Sequence, residues 1–295
     1  MGFHPFSIVD VFAEEKYAGN ELAVIRQAES LSGTDMQKIA REMNFSETTF
    51  ILKDEENRGG FDVRIFTPQS EVPFAGHPTL GTAFIIQQEI LRWPVGEVVL
   101  NLKVGPIPVT FSYRGEAPDV LWMKQVPPRF GETITPERAA QVLGLQPTDI
   151  DARFPVQSVS TGLPFFIVPL KSREALRRSR VDLRRLFALI NRTEAKAFLL
   201  FCPETLSPQN QLQVRVFADA LGVPEDPATG SANGCLAGYL AKHRYFGDGR
   251  VDIRVEQGHE VGRPSLLLLK AGEDAGEVSV SVGGRVIPVA RGELV

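Results

Sequence analysis

Short apolar runs, many of them alternating with polar residues, recur along the whole chain and predict strands more often than helices. In the first half, the predicted strands lie at 6–12, 21–25, 48–52, 62–66, 98–102 and 108–111. In the second half, they lie at 120–126, 165–170, 197–201, 212–217, 252–256, 266–270 and 277–282. Short strands are therefore the commonest predicted element in both halves.

Helical periodicity interrupts the strands at a few places, at about 34–43, 78–91, 136–143, 182–190 and 231–245. In the segment 78–91, apolar residues occupy nearly the whole circumference of the helix. A helix that is apolar on every side is typically buried. We therefore expect this helix to lie inside its domain.

The two halves of the chain repeat one another. The tetrapeptide Val-Arg-Ile-Phe at 63–66 matches Val-Arg-Val-Phe at 214–217, an offset of 151 residues. After three further inserted residues, Gly76-His77-Pro78 falls opposite Gly230-Ser231-Ala232, and each triplet opens a predicted helix. Because strand, spacing and helix start recur together, the pattern predicts an internal duplication that yields two similar domains.

The predicted domains are residues 1–120 and residues 121–283, with no Gly/Ser-rich linker between them. A last strand-like segment at 285–290 has no counterpart in the first half. We therefore treat residues 284–295 as a candidate strand that crosses back to the first domain.

The composition and charge of the chain argue against several classes of function. The chain has 43% hydrophobic and 23% charged residues, a net charge of −4 and a pI near 5.7. These values are typical of a globular protein, and without a basic patch they predict no nucleic-acid partner. The N-terminus has no secretory pattern and the apolar runs are too short to span a membrane, so we expect a cytoplasmic protein that does not bind membranes.

Both halves place a glycine at the start of an apolar helix, Gly76 in the first and Gly230 in the second. A helix start carries unpaired N–H groups and partial positive charge, so two such starts facing one cleft would bind a carboxylate. The alternative is ordinary capping: Pro78 suits the first helical position, and Thr229 or Ser231 could cap the second helix. Both interpretations remain open on the residues alone.

Groups that can move protons lie near these starts. His77 follows Gly76, and a helix start lowers the pKa of an imidazole and favours its neutral form. Asp226 precedes the second start, where an acidic residue also stabilises the helix dipole. Glu47 stands at a strand entry, where acidic residues are usually solvated, and local pattern alone does not select it.

Motifs for metals, nucleotides and activated nucleophiles are absent from the sequence. Cys202 and Cys235 are not spaced for a disulfide scaffold or a zinc site. The sequence therefore favours side-chain acid–base chemistry with no cofactor and no metal.

Several segments together resemble the PhzF-like (phenazine biosynthesis protein) family over nearly the whole chain. The most specific are Ser-Glu-Thr at 46–48, Gly-His-Pro-Thr at 76–79 and Asp-Pro-Ala-Thr-Gly-Ser-Ala at 226–232. Weaker matches lie at 10–12, 19–24, 66–68, 160–164, 256–258 and 262–265. The resemblance implies a homodimer and the diaminopimelate-epimerase fold: two pseudo-symmetric α+β domains, each a curved sheet around a central helix, with the site in the cleft between them.

The resemblance also implies roles for individual residues. It makes Glu47 the acid–base group. Side chains that line the site and position substrate or assist proton transfer would be His77, Asp226 and Ser231. Substrate-binding positions would be Gly76, Gly230, Asn20 and Thr229. Diaminopimelate epimerases instead carry a cysteine before each helix-start glycine, where this chain has Ala75 and Thr229.

The sequence thus predicts an isomerase that shifts a proton on a small, amino-acid-like carboxylate. Alternatives are an epimerase that uses one base and a carboxylate-binding protein without activity. The best-known member of the family isomerises a dihydro-hydroxyanthranilate on the way to phenazines, but the site residues do not specify that ring. The chain departs from the family pattern at Glu21, where many relatives have proline after Gly-Asn.

Overall fold

The computed structural model describes residues 3–274 and 277–295, which divide into two compact units. Residues 3–123 and 283–295 form the first unit, and residues within 124–282 form the second. The unit boundaries fall inside two strands, β8 (Ala117–Gln125) and β17 (Glu277–Gly284). Within the described residues, no helix combines the length and the apolar character needed to cross a membrane.

The first unit is a mixed sheet with two helices. Its further strands are β1 (His4–Val11), β2 (Asn20–Ile25), β3 (Glu47–Ile51), β4 (Phe61–Phe66), β5 (Glu71–Val72), β6 (Glu97–Leu102), β7 (Gly105–Arg114) and β18 (Val286–Leu294). Its helices are α1 (Gly33–Met43) and α2 (Gly76–Ile85), the latter continued by a π-helical segment, Ile86–Leu91.

The second unit repeats this arrangement with more helices. Its strands are β9 (Arg129–Ile134), β10 (Val156–Ser160), β11 (Pro164–Pro169), β12 (Ala197–Cys202), β13 (Leu212–Ala218), β14 (Val223–Asp226), β15 (Val251–Gln257) and β16 (Ser265–Asp274). Its helices are α3 (Pro136–Leu143), α4 (Arg173–Arg178), α5 (Leu183–Ile190) and α6 (Gly230–Lys242).

The duplication is visible in the strand pairing. In the first unit, β1 pairs antiparallel with β2, β2 parallel with β3, β3 and β4 antiparallel, β4 parallel with β6, and β6 antiparallel with β7. In the second unit, β10, β11, β12, β13, β15 and β16 show the same succession. The last strand, β18, pairs with β1 as β9 pairs with β10. The predicted α+β fold with an internal duplication is confirmed.

Each sheet packs against one buried helix. Every residue of α2 from His77 to Ile85 is buried, and the helix contacts β1, β2, β3, β6 and β7. Helix α6 is buried nearly throughout and contacts β10, β11, β12, β15 and β16. The remaining helices lie elsewhere: α1 packs on β3 and β4, and residues of α3, α4 and α5 form a separate apolar cluster with β10–β13. Each unit thus buries one helix, whose N-terminal residues are described separately below.

The sequence did not predict β9, β10 or α4. Strand β9 is mostly exposed, with only Ile134 buried, so its position depends on pairing with β10 rather than on apolar alternation. Helix α4 has six residues, too few for a clear period, and begins where Ser172 Oγ accepts a hydrogen bond from Ala175 N. The buried helices also start earlier than predicted, at Gly76 and Gly230, because the residue before each glycine is extended.

Candidate active site

The first helix start has no side-chain cap. Ala75, the N-cap of α2, is extended and has no acceptor in its side chain. Its backbone carbonyl instead accepts from Thr79 Oγ1 at 2.7 Å, and Pro78 removes one N–H from the first turn. The other amides of this turn, at Gly76 and His77, therefore receive no acceptor from the N-cap side chain, which suits the start to an anion.

Glu47 and His77 lie together at this helix start. Glu47 opens β3, which pairs in parallel with β2, and His77 is the second residue of α2. Their side chains approach to 3.4 Å between Glu47 Oε2 and His77 Nε2, with 19% and 7% of the side chains exposed. Burial lowers the pKa of His77 to about 3, so this contact is not an ion pair at neutral pH.

The hydrogen bonds of the two ring nitrogens of His77 indicate which of them carries the proton. The imidazole ring makes a hydrogen bond with the backbone of Glu21, and this bond raises the pKa of His77. A bond with that effect has the ring N–H as donor and the backbone carbonyl as acceptor. We assign the proton to Nδ1, because Nε2 makes no hydrogen bond within the described chain. The neutral ring then turns the Nε2 lone pair toward Glu47. It can accept a hydrogen bond from that carboxyl only when the carboxyl carries a proton.

Asn20 reaches the same part of the unit through a tight turn. Gly19 has a φ of +68°, and a Cβ there would lie 2.4 Å from the backbone oxygen of Val11. The turn therefore requires glycine. Asn20 follows as the first residue of β2 and is fully buried, two residues before Leu22, the cross-strand partner of Glu47. The backbone carbonyl that accepts from His77 belongs to Glu21. The proline that many relatives have at this position would supply the same carbonyl. Glutamate at 21 therefore adds a carboxyl group without removing the hydrogen bond to His77.

The second helix start is held by a network of amides and hydroxyls. Thr229, the N-cap of α6, makes no capping bond with its side chain; its Oγ1 donates to Asp226 Oδ2 at 2.5 Å. Ser231 is half-buried and is the second residue inside the helix, so it is not the cap either. Thr229 is thus the N-cap residue, but the expected capping bond from the side chain of Thr229 or Ser231 is not made.

Gln257, which the sequence did not single out, organises this start. Its Oε1 accepts from Thr229 N at 3.2 Å and from Asn233 Nδ2 at 2.8 Å. Its Nε2 donates to the Asp226 carbonyl at 2.7 Å and to Thr229 Oγ1 at 3.1 Å. All polar atoms of this fully buried amide are thus used, and they tie β15 to both ends of the Asp226–Thr229 turn. Its only sequence signal is its place in the family segment 256–258.

A second side-chain amide, that of Gln125, contacts the first residue of α6. Gln125 Nε2 donates to the Gly230 carbonyl at 3.0 Å, and its Oε1 accepts from Thr161 Oγ1 at 2.6 Å. This amide lies so close to α6 that a Cβ on Gly234 would be 1.8 Å from Gln125 Oε1. Glycine at 234 therefore allows the amide to reach the first residue of the helix.

Neither cysteine lies at a helix start. Cys202 lies on β12 and Cys235 inside α6, both buried, and burial raises their pKa values to about 12 and about 11. Such thiols stay protonated and lie away from the helix-start positions that a thiol racemase uses. In residues 3–274 and 277–295, no three His, Cys, Asp or Glu side chains cluster so as to hold a metal ion.

The fold defines a class of protein, the α+β proteins of the diaminopimelate-epimerase type. A hydroxyproline epimerase of Agrobacterium vitis, solved with bound trans-4-hydroxy-L-proline, shares the fold alone, at 10% identity and a TM-score of 0.63 over 99% of this chain and 91% of its own. A PhzF-family phenazine biosynthesis protein of Bacillus anthracis is much nearer in shape, with a TM-score of 0.91 over the whole of both chains at 24% identity.

The family follows from the sequence match. The chain belongs to the phenazine biosynthesis-like protein (PhzC-PhzF) family, whose model matches residues 9–292. It is 34% identical to the trans-2,3-dihydro-3-hydroxyanthranilate isomerase of Pseudomonas aeruginosa, over 99% of this chain and 100% of that protein. The predicted family is confirmed, and the protein is an isomerase.

Proposed function

We propose that this isomerase moves a proton on a small, amino-acid-like carboxylate, with Glu47 as the acid–base group and no cofactor. The observation that carries the proposal is the 3.4 Å approach of Glu47 Oε2 to the neutral, buried ring of His77. Once Glu47 has taken a proton from the substrate, its carboxyl can donate a hydrogen bond to the lone pair of His77 Nε2 until the proton is returned. General acid–base catalysis of this kind contributes about 10²–10⁴-fold to a rate.

The proposed reaction balances within substrate and enzyme. Glu47, as carboxylate, takes a proton from an activated carbon; the C–H bond breaks, an O–H bond forms, and the electron pair enters the substrate's conjugated system. The carboxylic acid then donates a hydrogen bond to His77 Nε2, which holds the proton in place. Glu47 returns that proton to a different carbon, which restores the carboxylate and shifts the double bond.

The helix starts are proposed to hold the substrate. The uncapped first turn of α2, at Gly76, suits a carboxylate, and Asn20 adds an amide in the same unit. The corresponding roles of Gly230, Thr229, Asp226 and Ser231 rest on the family resemblance. They are supported by a second helix start whose N-cap likewise makes no capping bond with its side chain.

The relative from P. aeruginosa provides the first candidate substrate, a dihydro-hydroxyanthranilate. Each candidate acid is incubated with enzyme in D₂O, and deuterium incorporation and product structure are followed by NMR. A moved double bond marks an isomerase, whereas exchange with loss of optical activity marks an epimerase that uses one base.

Glu47→Gln tests the mechanism. The amide is nearly isosteric but cannot carry the proton, so exchange is expected to fall by about 10²–10⁴-fold. Glu42→Gln, the same change at an exposed site on α1, is the matched control and keeps full activity. Deuterium exchange at the wild-type rate in Glu47→Gln would refute the mechanism.

A further inference from the structure

The second unit contains a cavity of about 790 Å³ that is separate from the start of α6. Its volume lies within the range typical of small-molecule sites. The ionisable residues that line it are Arg173, Arg177, Arg180, Asp219, His259 and Glu260, together with the pair Arg215–Glu225. The proposed reaction uses none of them.

Strand alternation places this cavity on the opposite face of the sheet from α6. Phe201 on β12 makes a ring contact with Tyr239 of α6, whereas its neighbour Leu200 belongs to the apolar cluster that includes Leu176 of α4. Leu200 is the cross-strand partner of Arg215, and Arg215 Nη1 donates to the carbonyl of Leu176 at 2.9 Å. The cavity, which Arg215 lines, therefore lies on the α4 face.

One arginine of the cavity is fully used by the fold. Arg215 is 4% exposed and makes a bidentate pair with Glu225, at 2.8 and 2.6 Å. Its Nη1 also reaches the carbonyls of Arg177 and Ser179. Because this pair neutralises itself, it shapes the wall of the cavity without contributing net charge.

The remaining cations give the cavity a positive side. Outside the Arg215–Glu225 pair, the cavity has the guanidiniums of Arg173, Arg177 and Arg180 and the carboxylates of Asp219 and Glu260. Arg173 donates through Nε to Gln213, and Arg180 donates to two backbone carbonyls. Arg177 is exposed, and its side chain makes no hydrogen bond or ion pair within the described residues. Guanidiniums match carboxylate and phosphate groups in geometry, so this side fits an anion.

The acidic groups give it a second, acceptor side. Asp219 Oδ2 and Glu260 Oε2 are both buried, and within the described chain neither atom accepts a hydrogen bond. Burial also raises the pKa of Asp219. Leaving a buried acceptor unsatisfied is costly. Both residues line the cavity, so a rotation of either carboxylate that turns its unpaired oxygen toward a ligand ammonium or amide N–H would remove that cost.

We propose that this cavity binds a small zwitterion of the amino-acid class. Its carboxylate would lie against Arg173, Arg177 and Arg180, and its ammonium would face Asp219 and Glu260. The proposal does not depend on the reaction assigned to Glu47, because the cavity residues and the acid–base pair do not overlap.

Calorimetric titration of the full chain at low salt tests the ligand class with L-aspartate and succinate, which differ only in the ammonium group. L-Aspartate is expected to bind about tenfold more tightly than succinate, the factor that corresponds to one added charge contact. Amide hydrogen exchange is expected to slow at 173–181 and 259–261 when L-aspartate is added. No saturable binding of L-aspartate, or equal binding of both acids, overturns the proposal.

Variants assign the binding to the cavity rather than to the catalytic residues. Arg177→Gln is expected to weaken both acids about tenfold, whereas Asp219→Asn removes only the preference for L-aspartate. Arg184→Gln makes the same charge change at an exposed position on α5 outside the cavity and should bind normally. If Arg184→Gln weakens binding as much as Arg177→Gln, the binding is nonspecific. If Glu47→Gln abolishes it and Arg177→Gln does not, L-aspartate occupies the catalytic site, and the proposal falls.

Discussion

The two helix starts of this protein descend from one duplicated segment but now differ in chemistry. At α2, a carboxyl and a neutral imidazole lie 3.4 Å apart, and the imidazole nitrogen that faces the carboxyl makes no hydrogen bond in the described chain. At α6, the buried amide of Gln257 uses all of its polar atoms to bind the Asp226–Thr229 turn.

This difference shows how duplication can separate two tasks. A site that transfers protons needs an atom that makes no hydrogen bond within the fold. His77 Nε2, which faces the Glu47 carboxyl, makes none within the described chain. A rigid anion site needs the opposite, a turn whose groups are tied down before the ligand arrives. The first start therefore keeps a nitrogen that the fold does not use, whereas the second is built as a rigid turn.

The largest stability effect is expected at the second start. Gln257→Leu removes four hydrogen bonds, leaves Thr229 N without its acceptor and takes from Asn233 Nδ2 one of its two acceptors, which should cost about 3 kcal/mol of unfolding free energy. Urea unfolding measures this cost. Gln141→Leu, the same change on the exposed face of α3, should change it little. Equal stability of the two variants would mean that the second start is not rigidly built.

A smaller, pH-dependent effect is expected at the first start. The folded pKa of His77, about 3, lies below its ordinary value of 6.5, so the unfolded chain binds the extra proton first as the pH falls. The stability that comes from burying the neutral ring is therefore complete above pH 6.5 and is lost progressively below it, by at most about 1.4 kcal/mol per pH unit.

His77→Asn cannot titrate but keeps a donor for the Glu21 carbonyl. The stability of the wild type relative to this variant is expected to fall by about 2 kcal/mol between pH 6.5 and 4.5. Unfolding curves at several pH values measure the gap. A gap that does not change over this range would show that His77 is not held neutral.

The smallest effect is expected at the thiols. Cys202→Ala and Cys235→Ala should each reduce stability by about 1 kcal/mol and leave deuterium exchange within about twofold of wild type, because both thiols are buried and protonated. The exchange assay used for Glu47→Gln measures both variants. A loss of more than about tenfold on removing either thiol would place sulfur in the reaction.

Some features of the site were predictable because they are local. The glycine-led starts of α2 and α6 follow from apolar periodicity, and the match of 63–66 to 214–217 predicted that β4 and β13 are equivalent. The depressed pKa of His77 was also anticipated, although the main cause is burial and not the position at the helix start. The helix periods need only residues within one or two turns of each other, and the repeat is found by comparing the two halves of the chain.

Other features could not be predicted because they depend on partners far along the chain. Gln257 follows Thr229 by 28 residues, and Gln125 precedes Gly230 by 105. The cavity near Arg177 arises where α4 meets β13 and β14, and α4 itself is too short for its sequence to show a period. No local rule selects one glutamine or arginine among many.

The sequence by itself determined most of the strands and helices and their duplication, because strand and helix periods are local and the repeat is found by comparing the two halves of the chain. Only the tertiary structure decided which side chains meet. Glu47 is an ordinary strand-entry residue until the parallel pairing of β2 with β3 and the burial of α2 bring its carboxyl to the imidazole of His77. That contact joins residues thirty positions apart, and its chemistry depends on a desolvation that only the packed unit supplies.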